Sequence, residues 1–275
     1  MTRWQAAGAP RRAGDQRTDG IARRDIPGGR MVVRRAAGAY RERSAPAIER
    51  PRWRAIRRHV ILFLAADPST TSRLALDEEC AAIELELRMT MGRDDFDFRS
   101  RWAVSVDDVM RSLNELQPTV IHFSGHGEVT ADDPHRSRLA CRDVGTAATA
   151  GIQLQDEQRR PQLVSASALT QMIASAAPSA RVVVLNACFS NALADSLCGV
   201  VDYVVGMAGA ISDVAARSFA VGFYRALGHR RSVGNAVDQA VAILAAKRLP
   251  EAHLPTCRTR DGVDAARLTL PAASS

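Results

Sequence analysis

Only one lysine, Lys247, stands against 36 arginines in a chain of 275 residues, and aromatic residues make up 5%. So few aromatics argue against a stacking platform for bases or glycans. Cysteine is also sparse: five residues, an odd number, with no Cys-x-x-Cys pair. That count favours neither a disulfide framework nor a zinc ribbon. Long apolar runs are missing as well. The longest, Val60 to Ala66, is far too short to span a bilayer, and no apolar signal region follows the basic N-terminus. The expectation is a reduced, cytoplasmic protein without a membrane span. No Gly-x-x-x-x-Gly-Lys loop supports nucleotide hydrolysis, and no Gly-x-Ser-x-Gly elbow supports an α/β-hydrolase.

What is present divides in two. Residues 1–58 carry 16 arginines against five acidic residues, a net +11. The remainder carries 21 basic against 25 acidic residues, a net −4. The tail is rich in Arg, Gly, Ala and Pro without a sustained apolar period, which reads as a disordered segment. Such a tail could contact nucleic acid or an acidic surface by counterion release. A solvated tail, or sequence read from an upstream start, is the plainer account, because arginine in place of lysine points to a GC-rich coding sequence.

From His59 onward, hydrophobic content is that of a globular domain. Val60-Ile61-Leu62-Phe63-Leu64 reads as a strand buried on both faces. A helix with Leu76, Cys80, Ile83 and Leu87 at helical spacing follows, then a strand from Phe96 to Val104. Ser105 and Asp108 predict a capping box for a helix that Pro118 ends. Val120–Phe123, Arg181–Asn186 and Tyr203–Val205 are further strands; Ser212 and Ser232 each cap a helix. Leu268–Leu270 is expected as a final edge strand, and Ile152–Leu154 with Gln162–Val164 as a small hairpin. Alternating strands and helices imply one α/β domain over residues 59–270, with a mostly parallel sheet covered on both faces.

In an open parallel sheet, active groups gather at the carboxyl ends of strands. Two such ends here carry reactive side chains: Ser124-Gly125-His126-Gly127 and Asn186-Ala187-Cys188-Phe189-Ser190. Glycines on both sides of His126 allow a sharp turn, and a Cys–His pair on neighbouring strand ends is the minimal equipment for acyl transfer. His122 reads as a sheet residue with a hydrogen-bonded ring, and Cys80 as core. His135, His229 and His253 have no neighbours in sequence that would make a metal site, so no metal or other cofactor is expected.

The run Ile61-Leu62-Phe63-Leu64-Ala65-Ala66 resembles the CHAT domains, bacterial relatives of the caspases. So do Val120 to Gly127, Val183-Val184-Leu185-Asn186-Ala187-Cys188, Val205-Gly206-Met207, Ala210-Ile211-Ser212-Asp213, Phe223 to Leu227 and Gly262-Val263-Asp264. The resemblance covers nearly all of residues 59–270. It implies a caspase-hemoglobinase-like three-layer sandwich and peptide-bond hydrolysis by a Cys–His dyad. On that basis Cys188 is the nucleophile and His126 the general acid. The backbone N–H groups of Gly127 and Cys188 form an oxyanion hole.

The resemblance further places Asn186 in the pocket for the residue before the cut, with Asp67 and Asp213 as other pocket candidates. An acidic lining favours a basic residue there; Asp213 equally suits a helix cap. The implied partners are a protein substrate and an upstream sensor or activator, in bacterial signalling, defence or programmed death. If specificity is basic, Arg159-Arg160 is a candidate self-processing site. The competing reading is a catalytically silent adaptor on the same fold.

Overall fold

The computed structural model describes residues 58–67, 75–130 and 149–272. The tail, His135 and Cys141 lie outside the described residues. Nine strands and six α-helices occur among those described.

Strand β1 (His59–Ala66) is buried from Ile61 to Ala66, as expected for an interior strand of a parallel sheet covered on both faces. It pairs in parallel with β2 (Phe96–Trp102) on one side and β3 (Val120–Gly125) on the other. Beyond β3 come β7 (Val182–Asn186) and β8 (Tyr203–Met207), both parallel, and then β9 (Pro255–Thr259), antiparallel. The remaining strands, β4 (Gly127–Thr130), β5 (Thr149–Gln155) and β6 (Pro161–Ser165), form a separate antiparallel sheet. The β5–β6 pair is the expected hairpin, and β4, leaving directly from His126, joins it.

Helices cover both faces of the main sheet. On one face α1 (Leu76–Met89), α5 (Asp213–Gly228) and α6 (Val233–Ala246) pack over Phe63, Val184 and Val205. On the other, α2 (Val106–Leu116), α3 (Ala166–Ala176) and α4 (Asn191–Leu197) pack over Leu62, Ile121, Val183 and Leu185. The result is a three-layer α/β sandwich. The helix caps follow their side chains. Ser105 and Asp108 form a reciprocal capping box on α2, and the hydroxyls of Ser212 and Ser232 accept from the third N–H of α5 and α6. Helix α3 has a fainter signature in the sequence: Ser165 accepts from Ala168 N, and Leu169, Ile173 and Ala176 lie on one buried face.

One strand is not where the apolar pattern placed it. Leu268 and Leu270 are buried in the core, yet they form no strand. The carbonyl of Leu268 accepts from Val233 N at the start of α6 (2.8 Å), and that of Thr269 accepts from Arg181. Their carbonyls thus satisfy a helix terminus and an arginine, and the sheet edge is taken by β9. Arg159-Arg160 lies in the β5–β6 turn. The Asp156 carboxylate accepts from Gln158 N, Arg160 N and Arg160 Nε, and Asp156 N donates to the Arg160 carbonyl. Cleavage there would require this turn to open.

Candidate active site

The register of two central strands brings the dyad residues together. Ser124 on β3 pairs with Asn186 on β7. His126 and Cys188 each follow two residues later, so they leave the carboxyl edge of the sheet at the same height. Both line one cleft, shared with Leu76, Glu79, Ser124, Asn186, Ile211, Asp213 and Ala216.

The glycines beside His126 are required by close approach, and neither has a positive φ. A Cβ on Gly125 would sit 2.5 Å from the Ala66 carbonyl oxygen, and one on Gly127 would sit 2.1 Å from that of Cys188. The Gly127 backbone is therefore pressed directly against the cysteine loop. That loop is held from beneath by Ser190, fully buried, which donates to the Leu185 carbonyl (2.8 Å) and accepts from Met207 N (3.0 Å). Phe189, next to the cysteine, has φ of 54°, left-handed backbone that L-residues adopt rarely, and its ring is half-exposed. Such strain persists only where surrounding contacts impose it; here Phe189 N donates to the Gly209 carbonyl (3.1 Å) while Ser190 anchors the next residue. Helix α4 begins at Asn191, three residues beyond the thiol.

Cys188 is partly exposed, with Sγ 4.0 Å from the Ile211 carbonyl oxygen. At the other described thiols burial disfavours the thiolate. Burial pushes Cys80 up to about 11, and burial also raises Cys198 and Cys257.

The acids expected near the site are placed differently from one another. Asp67, just past β1, has its Oδ1 3.6 Å from His126 Nε2 and is absent from the cleft lining. Asp213 lines the cleft at the start of α5, where its Oδ2 also accepts from Ala75 N (3.1 Å), tying α1 to α5. Asn186 lines the cleft and is almost fully buried.

An unexpected group joins them. Glu79, in the first turn of α1, is 4% exposed and reaches under the cleft. Its Oε1 accepts from Asn186 Nδ2 (2.6 Å) and lies 2.9 Å from His122 Nε2, while its Oε2 accepts from Ser124 Oγ (2.5 Å). His122, fully buried and stacked on Phe63, meets the Tyr224 hydroxyl through Nδ1 (3.1 Å). Burial, and then the charge of Glu79, push the Tyr224 hydroxyl far above its ordinary range. Sequence periodicity hides Glu79, because a glutamate in a helix first turn next to Asp77 and Glu78 looks like favourable dipole charge on a solvated face.

Among the described residues, no cluster of three or more His, Cys, Asp or Glu side chains could hold a metal ion. Nor is any helix long and apolar enough to cross a membrane.

A model of the CHAT domain matches residues 22–255. The chain belongs to the CHAT domain family. It is 23% identical over 197 residues to a "Roc-COR-CHAT protease" of an unknown prokaryotic organism, an alignment covering 69% of this chain and 17% of that protein. Among solved structures, this CHAT domain resembles a secreted C11 cysteine protease from Bacteroides thetaiotaomicron held with an irreversible peptide inhibitor. The TM-score is 0.51 at 14% identity, over 70% of this chain and 60% of that one. It also matches the Drosophila initiator caspase Dronc at a TM-score of 0.47 and 10% identity, over 74% and 79% of the two chains. At such identity the C11 likeness speaks for the fold, which is caspase-like: an α/β sandwich around a mostly parallel six-stranded sheet.

Proposed function

We propose that this CHAT domain is a cysteine endopeptidase. The observation that carries the reading is the matched height of His126 and Cys188 on neighbouring parallel strands, with Gly127 pressed against the cysteine's carbonyl. The Cys188 thiolate attacks the scissile carbonyl carbon. The developing oxyanion is received by the N–H groups of Gly127 and Cys188, a stabilisation worth roughly 10²–10³ in rate per donor in comparable sites. The C–N bond then breaks as His126 gives its proton to the leaving amine, and water hydrolyses the thioester that remains. Asp67, beside His126 Nε2, acts by orienting the ring rather than by lining the substrate pocket. Asn186 and Asp213 belong to the pocket for the residue before the cut. Its substrates are proteins, and an upstream sensor or activator controls it, in the manner of an effector in bacterial signalling, defence or programmed death.

The test pairs wild type with Cys188→Ala on a peptide mixture varied at the residue before the cut, with and without cell extract. Cleavage by wild type alone supports the peptidase. Silence from both under every condition overturns it and leaves the adaptor role.

A further inference from the structure

Glu79 is a buried carboxylate whose partners form a closed set. The fully buried Tyr224 hydroxyl lies 3.1 Å from His122 Nδ1, and the other ring nitrogen, Nε2, lies 2.9 Å from Glu79 Oε1. Ser124 and Asn186 each donate to the carboxylate. None of these partners is an arginine or a lysine, so no permanently charged side chain faces the carboxylate in this network. Burying a carboxylate is costly, and a ligand that brings a fixed positive charge beside it recovers part of that cost.

Asn186 points to the same ligand independently. Its Nδ2 donates to both Glu79 and the Ala216 carbonyl (3.0 Å), which fixes the amide orientation, since the flipped form would set oxygen against oxygen. Its Oδ1 is then buried with no hydrogen-bond partner among the described residues. The cleft thus offers an orphan acceptor beside a buried carboxylate, and Asp213 adds a second carboxylate at its wall. What fits this lining is a donor-rich cation.

We propose that Glu79 is the specificity-determining residue of this cleft, selecting a substrate with a cationic side chain, arginine or lysine, before the scissile bond. The assignment rests on the peptidase reading for the name of the ligand. Asn186 Oδ1 takes one N–H of that cation, and His122 with Tyr224 are positioning residues that hold the carboxylate in place. Asp213, already engaged by Ala75 N, contributes second. The sequence draws attention to Asp213 and Asp67. The structure points instead to the acid on α1.

The test compares Glu79→Gln with wild type on matched peptides carrying arginine or its uncharged isostere citrulline before the cut. A parallel arm uses lysine and norleucine. The amide introduced by Glu79→Gln can still accept from Asn186 and donate to Ser124, so the fold and thermal midpoint should hold. The arginine-to-citrulline ratio of kcat/KM should fall by about 30-fold or more, the scale of removing one partner from a desolvated charge pair. Asp213→Asn should lower it less.

Binding separates this proposal from the peptidase reading. Cys188→Ala protein, titrated calorimetrically with Nα-acetyl-arginine amide, should prefer it over the citrulline amide, and Cys188→Ala/Glu79→Gln should lose that preference. Such a result with no turnover by wild type would sink the peptidase and leave the cation subsite standing. An unchanged ratio in Glu79→Gln, or equal binding of the two amides by Cys188→Ala protein, overturns the role given to Glu79.

Discussion

The two faces of the central sheet are built from the same strands, yet where β3 and β7 climb to the cleft they differ in chemistry. Toward α2, α3 and α4, the strands β3 and β7 present Ile121, Phe123, Val183 and Leu185, a dry layer of aliphatic and aromatic side chains. Toward α1, α5 and α6 they present Val120 and Val182, then His122 and Val184, then Ser124 and Asn186. This second face turns steadily more polar as it climbs to the edge that carries Cys188. Both faces bury a hydrophobic core, and the second also carries a hydrogen-bonded column, Tyr224–His122–Glu79–Asn186, up to the cleft. Parallel strands buried on both sides are usually apolar on both; a polar row on one side is tolerable only because almost every member has a partner.

Perturbing the faces separately should separate stability from selectivity. On the dry face, Leu62 is fully buried, and Leu62→Ala should cost about 3 kcal/mol in a urea unfolding experiment. The folded fraction should keep its preference among substrates; a changed preference would mean the dry layer also shapes the cleft. On the polar face, His122→Phe leaves Glu79 and the Tyr224 hydroxyl each one hydrogen-bond partner short. The expected loss is about 2 kcal/mol, accompanied by a weakened preference for arginine over citrulline. The double variant His122→Phe/Tyr224→Phe removes the stranded hydroxyl and should regain part of the stability without regaining the preference. Recovery of both would show that the column is packing alone.

The smallest effect lies at the helix ends. Helix α2, on the dry side, carries its own capping box, whereas α1, on the polar side, has no side-chain cap and is tied at Ala75 N by Asp213. Asp108→Ala should therefore cost only about 0.5–1 kcal/mol. Hydrogen bonds from the Ser105 hydroxyl and backbone hold the Asp108 carboxyl below its usual range. A group with a depressed folded pKa stabilises above its unfolded value, near 4, and loses that contribution as pH falls through the folded value. The gap between wild type and Asp108→Ala should be full at pH 7 and close in strong acid. A gap that persists unchanged at pH 2 would assign the effect to helix packing instead.

Much of this is readable from residue order. Alternation and run length find β1, β3, β7 and β8, and single serines mark the starts of α2, α5 and α6. The glycine-framed His126 and the strand-ending Cys188 stand out as reactive groups at a sheet edge. Where reading fails, a local signal is overridden by a distant one. Leu268 to Leu270 looks like a strand, but α6 and Arg181 claim the backbone carbonyls of Leu268 and Thr269. The flanking glycines suggest a free turn, whereas the cause is the Ala66 and Cys188 carbonyls lying where a Cβ would be.

Residue order decides what each short segment can be, because strand alternation, helix spacing and capping depend on neighbours a few positions away. It therefore settles which side of β3 and β7 their polar residues occupy. Which acid covers them is another matter. Glu79 and Asn186 are 107 residues apart in sequence and 2.6 Å apart in space, and no local preference links them. Their meeting depends on strand order, register and the seating of α1 against α5, and those exist only once the whole sheet has formed.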